Sequence, residues 1–137
     1  MYIVDTNVIS ELTKRTGNPV ALAWLEANMD KAYLTCVTLY EMRYGIQRMS
    51  DGKRKATYLA QLSHIRETFS HRILDFGAFE AEIAGDLRAY AGVQGVNSTS
   101  KDIMIAAIAT AHNGVIVTRN TKDFALFDVP LINPFDD

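Results

Sequence analysis

Asp5, Glu41, Asp102 and Asp123 are the residues of this chain best placed to do chemistry. Asp5 directly follows the apolar run Met1 to Val4, and the other three each stand beside an expected strand end or helix start. In a parallel α/β domain such ends gather along one edge of the sheet. Crowding like charges there gives the fold nothing, whereas a pair or triad of carboxylates is how proteins hold Mg²⁺ or Mn²⁺. The chemistry indicated is metal-dependent attack on phosphate.

Each acid also has a purely structural reading. Asp5, followed by Thr6 and Asn7, can open the helix expected near Val8. Thr38 and Glu41 have the spacing of a capping box, in which the Glu side chain returns to the backbone N–H of the cap. Asp102 lies in the first turn of a helix that Ser100 can cap, where a carboxylate gains about 0.3–1 kcal/mol from the helix dipole. Asp123 can play the same part in a short helix after Asn120 or Thr121. Taken together these readings weaken, because three of the acids adjoin expected strand ends on one sheet edge.

The elements that must position them alternate along the chain. Met1 to Asp5 reads as a short strand, Val8 to Lys14 and Pro19 to Asn28 as helices, and Ala32 to Thr35 as a second strand. A helix is expected from Thr38 to near Gly45, then a basic link Asp51 to Lys55, then a longer helix Ala56 to Phe69. Arg72 to Asp75 suits a third strand and Phe79 to Tyr90 a helix, with Gly92 and Gly95 marking a loop. Ser100 to His112 is apolar almost all round, so it should be a buried helix. Val115 to Thr118 and Val129 to Ile132 complete the strands. This alternation predicts an α/β fold: a mostly parallel sheet of about five short strands covered on both faces, with a site at the strands' carboxyl ends.

Composition bounds the function. At 137 residues and 48% hydrophobic, the chain has the length of a single domain over 1–137 with enough apolar mass for a core. The lone Cys36 has no internal disulfide partner and reads as a buried core thiol, which with the absence of a basic leader or long apolar segment points to the cytoplasm and away from a membrane. A net charge of −2 argues against a protein that coats nucleic acid, not against one that grips a few phosphates through a metal. His64, His71 and His112 lack metal-ligand spacing. The aromatics at 40, 44, 69, 76, 79 and 90 suit a core or a dimer surface.

The motifs resemble those of a known family. The opening through Asp5, Thr6, Asn7, Val8, Ile9, Ser10, Glu11 and Leu12 is similar to that of PIN-domain ribonucleases of the VapC type, the toxins of bacterial toxin–antitoxin pairs. Thr38 to Gly45 around Glu41, Asp102 with Ile105, Ala106 and Ala107, and Val117 to Phe124 follow in the family's order and at compatible spacing. The ending Ile132, Asn133, Pro134, Phe135 resembles the FitB branch. The resemblance implies a three-layer α/β/α domain and a Mg²⁺- or Mn²⁺-dependent endoribonuclease acting on single-stranded or loop RNA. It also implies a homodimer and a small DNA-binding antitoxin of the VapB or FitA kind as partner. Asp5 and Asp102 would be direct ligands, Glu41 would complete the set, and Asp123 would serve a second ion or act from behind the first. Where some members carry the fourth acid, this chain has Asn120, an amide that can offer an oxygen but no charge. Asn7 and Thr118 would support the ligands by hydrogen bonds, and Arg119, Lys101 and Lys122 would meet flanking phosphates.

Two rivals fit less well. A phosphoacceptor receiver domain needs a Lys after its final strand, and no Lys follows Lys122. A catalytically silent PIN-like binding module has no need of Asp5, Glu41 and Asp102, although Asn120 would suit one.

Overall fold

Hydrophobic alternation decides how the central strands are buried. In β1 (Tyr2–Val4) and β4 (Val115–Val117), Ile3 and Ile116 face one apolar layer while Val4 and Val117 face the other. All four are fully buried, as expected where both faces of a sheet are covered. The computed structural model describes residues 1–136; the domain end expected at residue 137 lies outside them. With β2 (Ala32–Thr35), β3 (Ile73–Leu74) and β5 (Leu131–Ile132), these strands form one parallel sheet in the order β3-β2-β1-β4-β5.

The helices form the outer layers. One layer contains α1 (Thr6–Ile9), which tightens into a 3₁₀ turn at Ser10–Thr13, with α2 (Pro19–Asn28), α3 (Cys36–Gln47) and α4 (Lys53–Thr68). The other contains α5 (Ala78–Val93) and α6 (Ser100–His112). Ile103 and Ile105 to Ala109 of α6 are all buried, as its apolar circumference requires. At the turn from α6 into β4, a Cβ on Gly114 would come within 2.7 Å of the Ile3 Cδ1, so a larger residue there would have to push this buried side chain aside.

Several expected boundaries move. Helix α3 begins at Cys36, capped by the Thr35 hydroxyl accepting from Thr38 N–H at 3.2 Å, so the capping box expected at Thr38 and Glu41 does not form. The Thr99 side chain, not Ser100, caps α6. The basic link is the first turn of α4, entered through Gly52 at φ 151°, and Gly92 lies inside α5. Cys36 is half-buried beneath the α5/α6 layer instead of wholly buried.

Candidate active site

The site grows from the carboxyl end of β1, the middle strand, beside β4. Asp5 N–H donates to the Val117 carbonyl at 2.9 Å, extending the ladder by one residue, and its own carbonyl accepts from Val8 and Ile9 to start α1. The strand therefore hands straight over to a helix, and the Asp5 side chain is left at the seam. It is 7% exposed. Its Oδ1 accepts from Thr6 N–H at 2.8 Å, and its Oδ2 from the Thr118 hydroxyl at 2.8 Å and the Asn7 amide at 3.3 Å. Burial pushes the Asp5 carboxyl up; the bonds from Thr118 and Thr6 oppose this, and the charges of Glu41 and Asp102 add to it.

The other acids arrive from different elements. Glu41, on the second turn of α3, has Oε1 3.0 Å from the Thr6 hydroxyl and Oε2 2.8 Å from Lys101 Nζ. Asp102, in the first turn of α6, is half-buried, and burial raises its carboxyl; Thr99 and Lys101 lower it, while Asp123 and Glu41 raise it. Asp123 closes the 3₁₀ turn Thr121–Asp123, is exposed, and acts on Asp102 through its charge. Asp5, Glu41 and Asp102 thus lie within one another's fields, with Asp123 at the rim.

The supporting residues have definite jobs. Thr118, fully buried at the end of β4, donates to Asp5 and accepts from Asn120 N–H at 3.1 Å. Asn7 lies 3.4 Å from the Thr118 hydroxyl and accepts from Arg119 N–H at 3.1 Å, tying α1 to the chain leaving β4. Asn120 enters the 3₁₀ turn without a side-chain cap bond and is exposed. The Arg119 guanidinium lies 4.2 Å over the Phe135 ring, so it is partly held by the C-terminal segment, and Lys122 is exposed. Lys101 is turned onto Glu41.

Three sets of contacts were not read from the sequence, although Lys101 was expected to meet phosphates and Thr6 and Glu11 stand in the opening motif. Thr6 bridges the β1 seam to Glu41, and Lys101 pairs with Glu41 across 60 residues. Glu11, 4% exposed, binds Lys14 and accepts from Asn18 N–H at 2.9 Å, fixing the loop into α2. Burial opposes its charge, but Lys14, Asn18 and Arg119 outweigh that and hold its carboxyl below the usual range. Only the Glu11 and Lys14 spacing carried any signal in the sequence.

The donor set fits a hard divalent cation in kind: carboxylate oxygens, with no thiolate or imidazole among them. A dication would reverse the cost of ionising Asp5 beside Glu41 and Asp102. Among the described residues no three Asp, Glu, His or Cys groups stand ready to hold an ion without side-chain movement, and Glu41 is occupied by Thr6 and Lys101. An apolar groove of about 600 Å³ lined by Leu12, Met29, Ala60, Ile65 and Phe69 contains none of the acids. A groove of about 260 Å³ lined by Thr6, Glu41, Met42, Ile46 and Tyr58 reaches the acid edge. No helix among the described residues is long and apolar enough to cross a membrane.

The chain is similar in sequence and fold to known proteins. Residues 2–129 match the sequence model described as the PIN domain. The chain is 35% identical to the VapC ribonuclease Y4jK of Sinorhizobium fredii over 99% of each chain, and 35% identical to the toxin FitB of Neisseria gonorrhoeae over 100% of each. The solved structure of FitAB bound to an IR36 DNA fragment contains a chain that superposes with a TM-score of 0.93 at 34% identity, covering 100% of this chain and 97% of that one.

Proposed function

The chain belongs to the PIN-domain family, and from that premise and its acid edge we propose that it is a toxin of a toxin–antitoxin pair that hydrolyses RNA with the help of Mg²⁺ or Mn²⁺. The observation that carries the metal part is Asp5: a carboxylate buried at the end of the central strand, its ionised form disfavoured by burial and by two neighbouring acids. Such an arrangement costs the metal-free fold stability and is explained by a cation. Endoribonuclease activity is supported by the full-length similarity to a VapC ribonuclease and a FitB toxin.

In this reading Asp5 and Asp102 are direct ligands, and Glu41 joins them by turning from Lys101. When bound, the ion neutralises charge on the phosphoryl oxygens and lowers the pKa of the attacking water. Thr118 and Thr6 N–H favour the ionised form of Asp5 against its burial, and with Asn7 they hold it in one rotamer. Asp123 adds negative charge at the rim, and Asn120 offers a neutral oxygen donor there. Lys122, Arg119 and a released Lys101 supply positive charge for flanking phosphates. Residues 1–137 act as one domain.

The partner is a small antitoxin, in keeping with the toxin name of FitB and the FitAB assembly on DNA. A basic side chain from it entering the acid groove would neutralise the cluster. The exposed Tyr40, Tyr44, Phe79 and Tyr90 suit a surface shared by two copies of the chain. A silent binding module is favoured by Asn120 and by the Lys101–Glu41 pair, but it leaves the burial of Asp5 beside two other acids without a purpose. Incubating the purified protein with labelled single-stranded RNA tests the enzyme: cleavage in millimolar Mg²⁺ or Mn²⁺ that stops in EDTA is expected, and undiminished cleavage in EDTA overturns it.

A further inference from the structure

Lys101 occupies the second position of α6, where a cation opposes the helix dipole, so its placement does not serve the helix. Its Nζ instead reaches across to α3 and lies 2.8 Å from Glu41 Oε2. The charges of Glu41, Asp102 and Asp5 all act favourably on this ammonium, in that order. The side chain is half exposed, whereas that of Glu41 is 19% exposed, so the lysine can leave toward solvent more easily than the carboxylate can.

We propose that Lys101 is a resident counter-ion of the acid site, occupying Glu41 in the metal-free chain and competing with the divalent ion for it. This rests on the metal-site reading above and adds to it a determinant that none of the acids supplies. Two consequences follow. The pair offsets part of the mutual repulsion of the acids before metal arrives. Metal binding must break the pair, so the apparent affinity is lower than the carboxylates alone would give.

The energetics favour a tunable device. A half-exposed lysine–carboxylate pair is weak because side-chain ordering and solvent screening offset most of the Coulomb gain. Lys101 therefore cannot lock the site, but it can set the metal concentration at which the site fills. An arginine at the same position would keep the charge, and a methionine would keep most of the length without it.

The test uses the purified full chain without RNA, as wild type, Lys101→Met and Lys101→Arg, titrated calorimetrically with MnCl₂ at fixed pH and ionic strength and melted in parallel in EDTA and in Mn²⁺. Lys101→Met should bind Mn²⁺ about two- to fivefold more tightly than wild type, the span that an exposed pair allows. It should also melt lower in EDTA and gain more from Mn²⁺, while Lys101→Arg stays close to wild type. If Lys101→Met binds Mn²⁺ no better than wild type while wild type binds, the competition is refuted and the metal site stands. If Lys101→Arg binds as tightly as Lys101→Met, charge is not the cause and the proposal fails. If neither wild type nor Lys101→Met binds Mn²⁺, the metal-site reading falls and takes this inference with it.

Discussion

Replacing Thr118 with valine removes one oxygen from the centre of the site while nearly preserving shape. That oxygen donates to Asp5 Oδ2 at 2.8 Å and accepts from Asn120 N–H at 3.1 Å, in a side chain with no solvent exposure. Losing a bond to a charged, buried acceptor costs about 1.5–3 kcal/mol, and burying the new methyl returns about 0.8 kcal/mol. The net loss should be about 1–2 kcal/mol, a fall in melting temperature of about 4–8 °C for a chain of this size. The loss must depend on pH. The Thr118 bond favours ionised Asp5, so without it the Asp5 carboxyl, already raised chiefly by burial, rises further. Urea unfolding in EDTA should therefore show the deficit at pH 7.5 and a smaller one as pH falls and Asp5 protonates in both proteins. Mn²⁺ affinity near neutrality should also fall, because the ligand must be deprotonated. Thr118→Ser should recover most of both. A valine variant as stable as wild type at pH 7.5, or a deficit independent of pH, would refute the role given to this hydroxyl.

Asp5→Asn and Asp102→Asn should each abolish RNA cleavage with an unchanged far-ultraviolet circular dichroism spectrum, and Glu41→Gln should reduce it severely; cleavage by either aspartate variant at wild-type rate would remove that residue from the site. In EDTA near neutral pH, Asp102→Asn should be as stable as wild type or more so, since burial and the charges of Asp123 and Glu41 disfavour its ionised form. If Asp102 only served the helix dipole, urea unfolding would show a loss of about 0.3–1 kcal/mol. The raised carboxyls of Asp5 and Asp102 stabilise the metal-free fold fully below their ordinary value of 3.8, and this is lost as pH rises through their raised folded values. Glu11 acts in the opposite sense: its lowered carboxyl stabilises above the ordinary 4.5 and the effect is lost as pH falls through its folded value. Glu11→Gln should accordingly cost about 1–3 kcal/mol at pH 7 in urea unfolding, with a smaller loss in acid.

Where local chemistry and burial agreed, the sequence was sufficient to place elements. Helix α2 spans Pro19–Asn28 with its proline in the first turn, and α6 spans Ser100–His112, as expected; the Asn18 cap of α2 was not anticipated. Helix α3 was misplaced because Thr35 and Thr38 are both acceptable caps, and the choice is made by β2 running into the helix without a loop. The start of α4 was hidden by Lys53, Arg54 and Lys55, which carry no apolar periodicity and follow a glycine cap with no side chain to announce it. Of the aromatics, Phe69 is core, whereas Tyr40, Tyr44, Phe79 and Tyr90 are exposed, a distinction that spacing alone did not make.

The site divides along the same line. Strand-end position was enough to bring Asp5 to the carboxyl edge and the starts of Glu41's helix and Asp123's turn beside it, since the order of a parallel sheet fixes which ends are neighbours. Asp102 instead follows helix α5 and reaches that edge only through the packing of α6. The alternative of a capping box for Glu41 was removed only by the observed start of α3. The contacts of Thr6 and Lys101 with Glu41 depend on how α1, α3 and α6 meet, which no local pattern encodes.

The claim that the acids meet around a divalent ion is tested most directly by crystals of the purified chain soaked in MnCl₂ and measured for anomalous scattering. An anomalous peak at coordination distance from both Asp5 and Asp102, with Glu41 turned from Lys101 toward it, is the expected result. Crystals that show no manganese at Asp5 at saturating concentration, or a peak only on other residues, would contradict it.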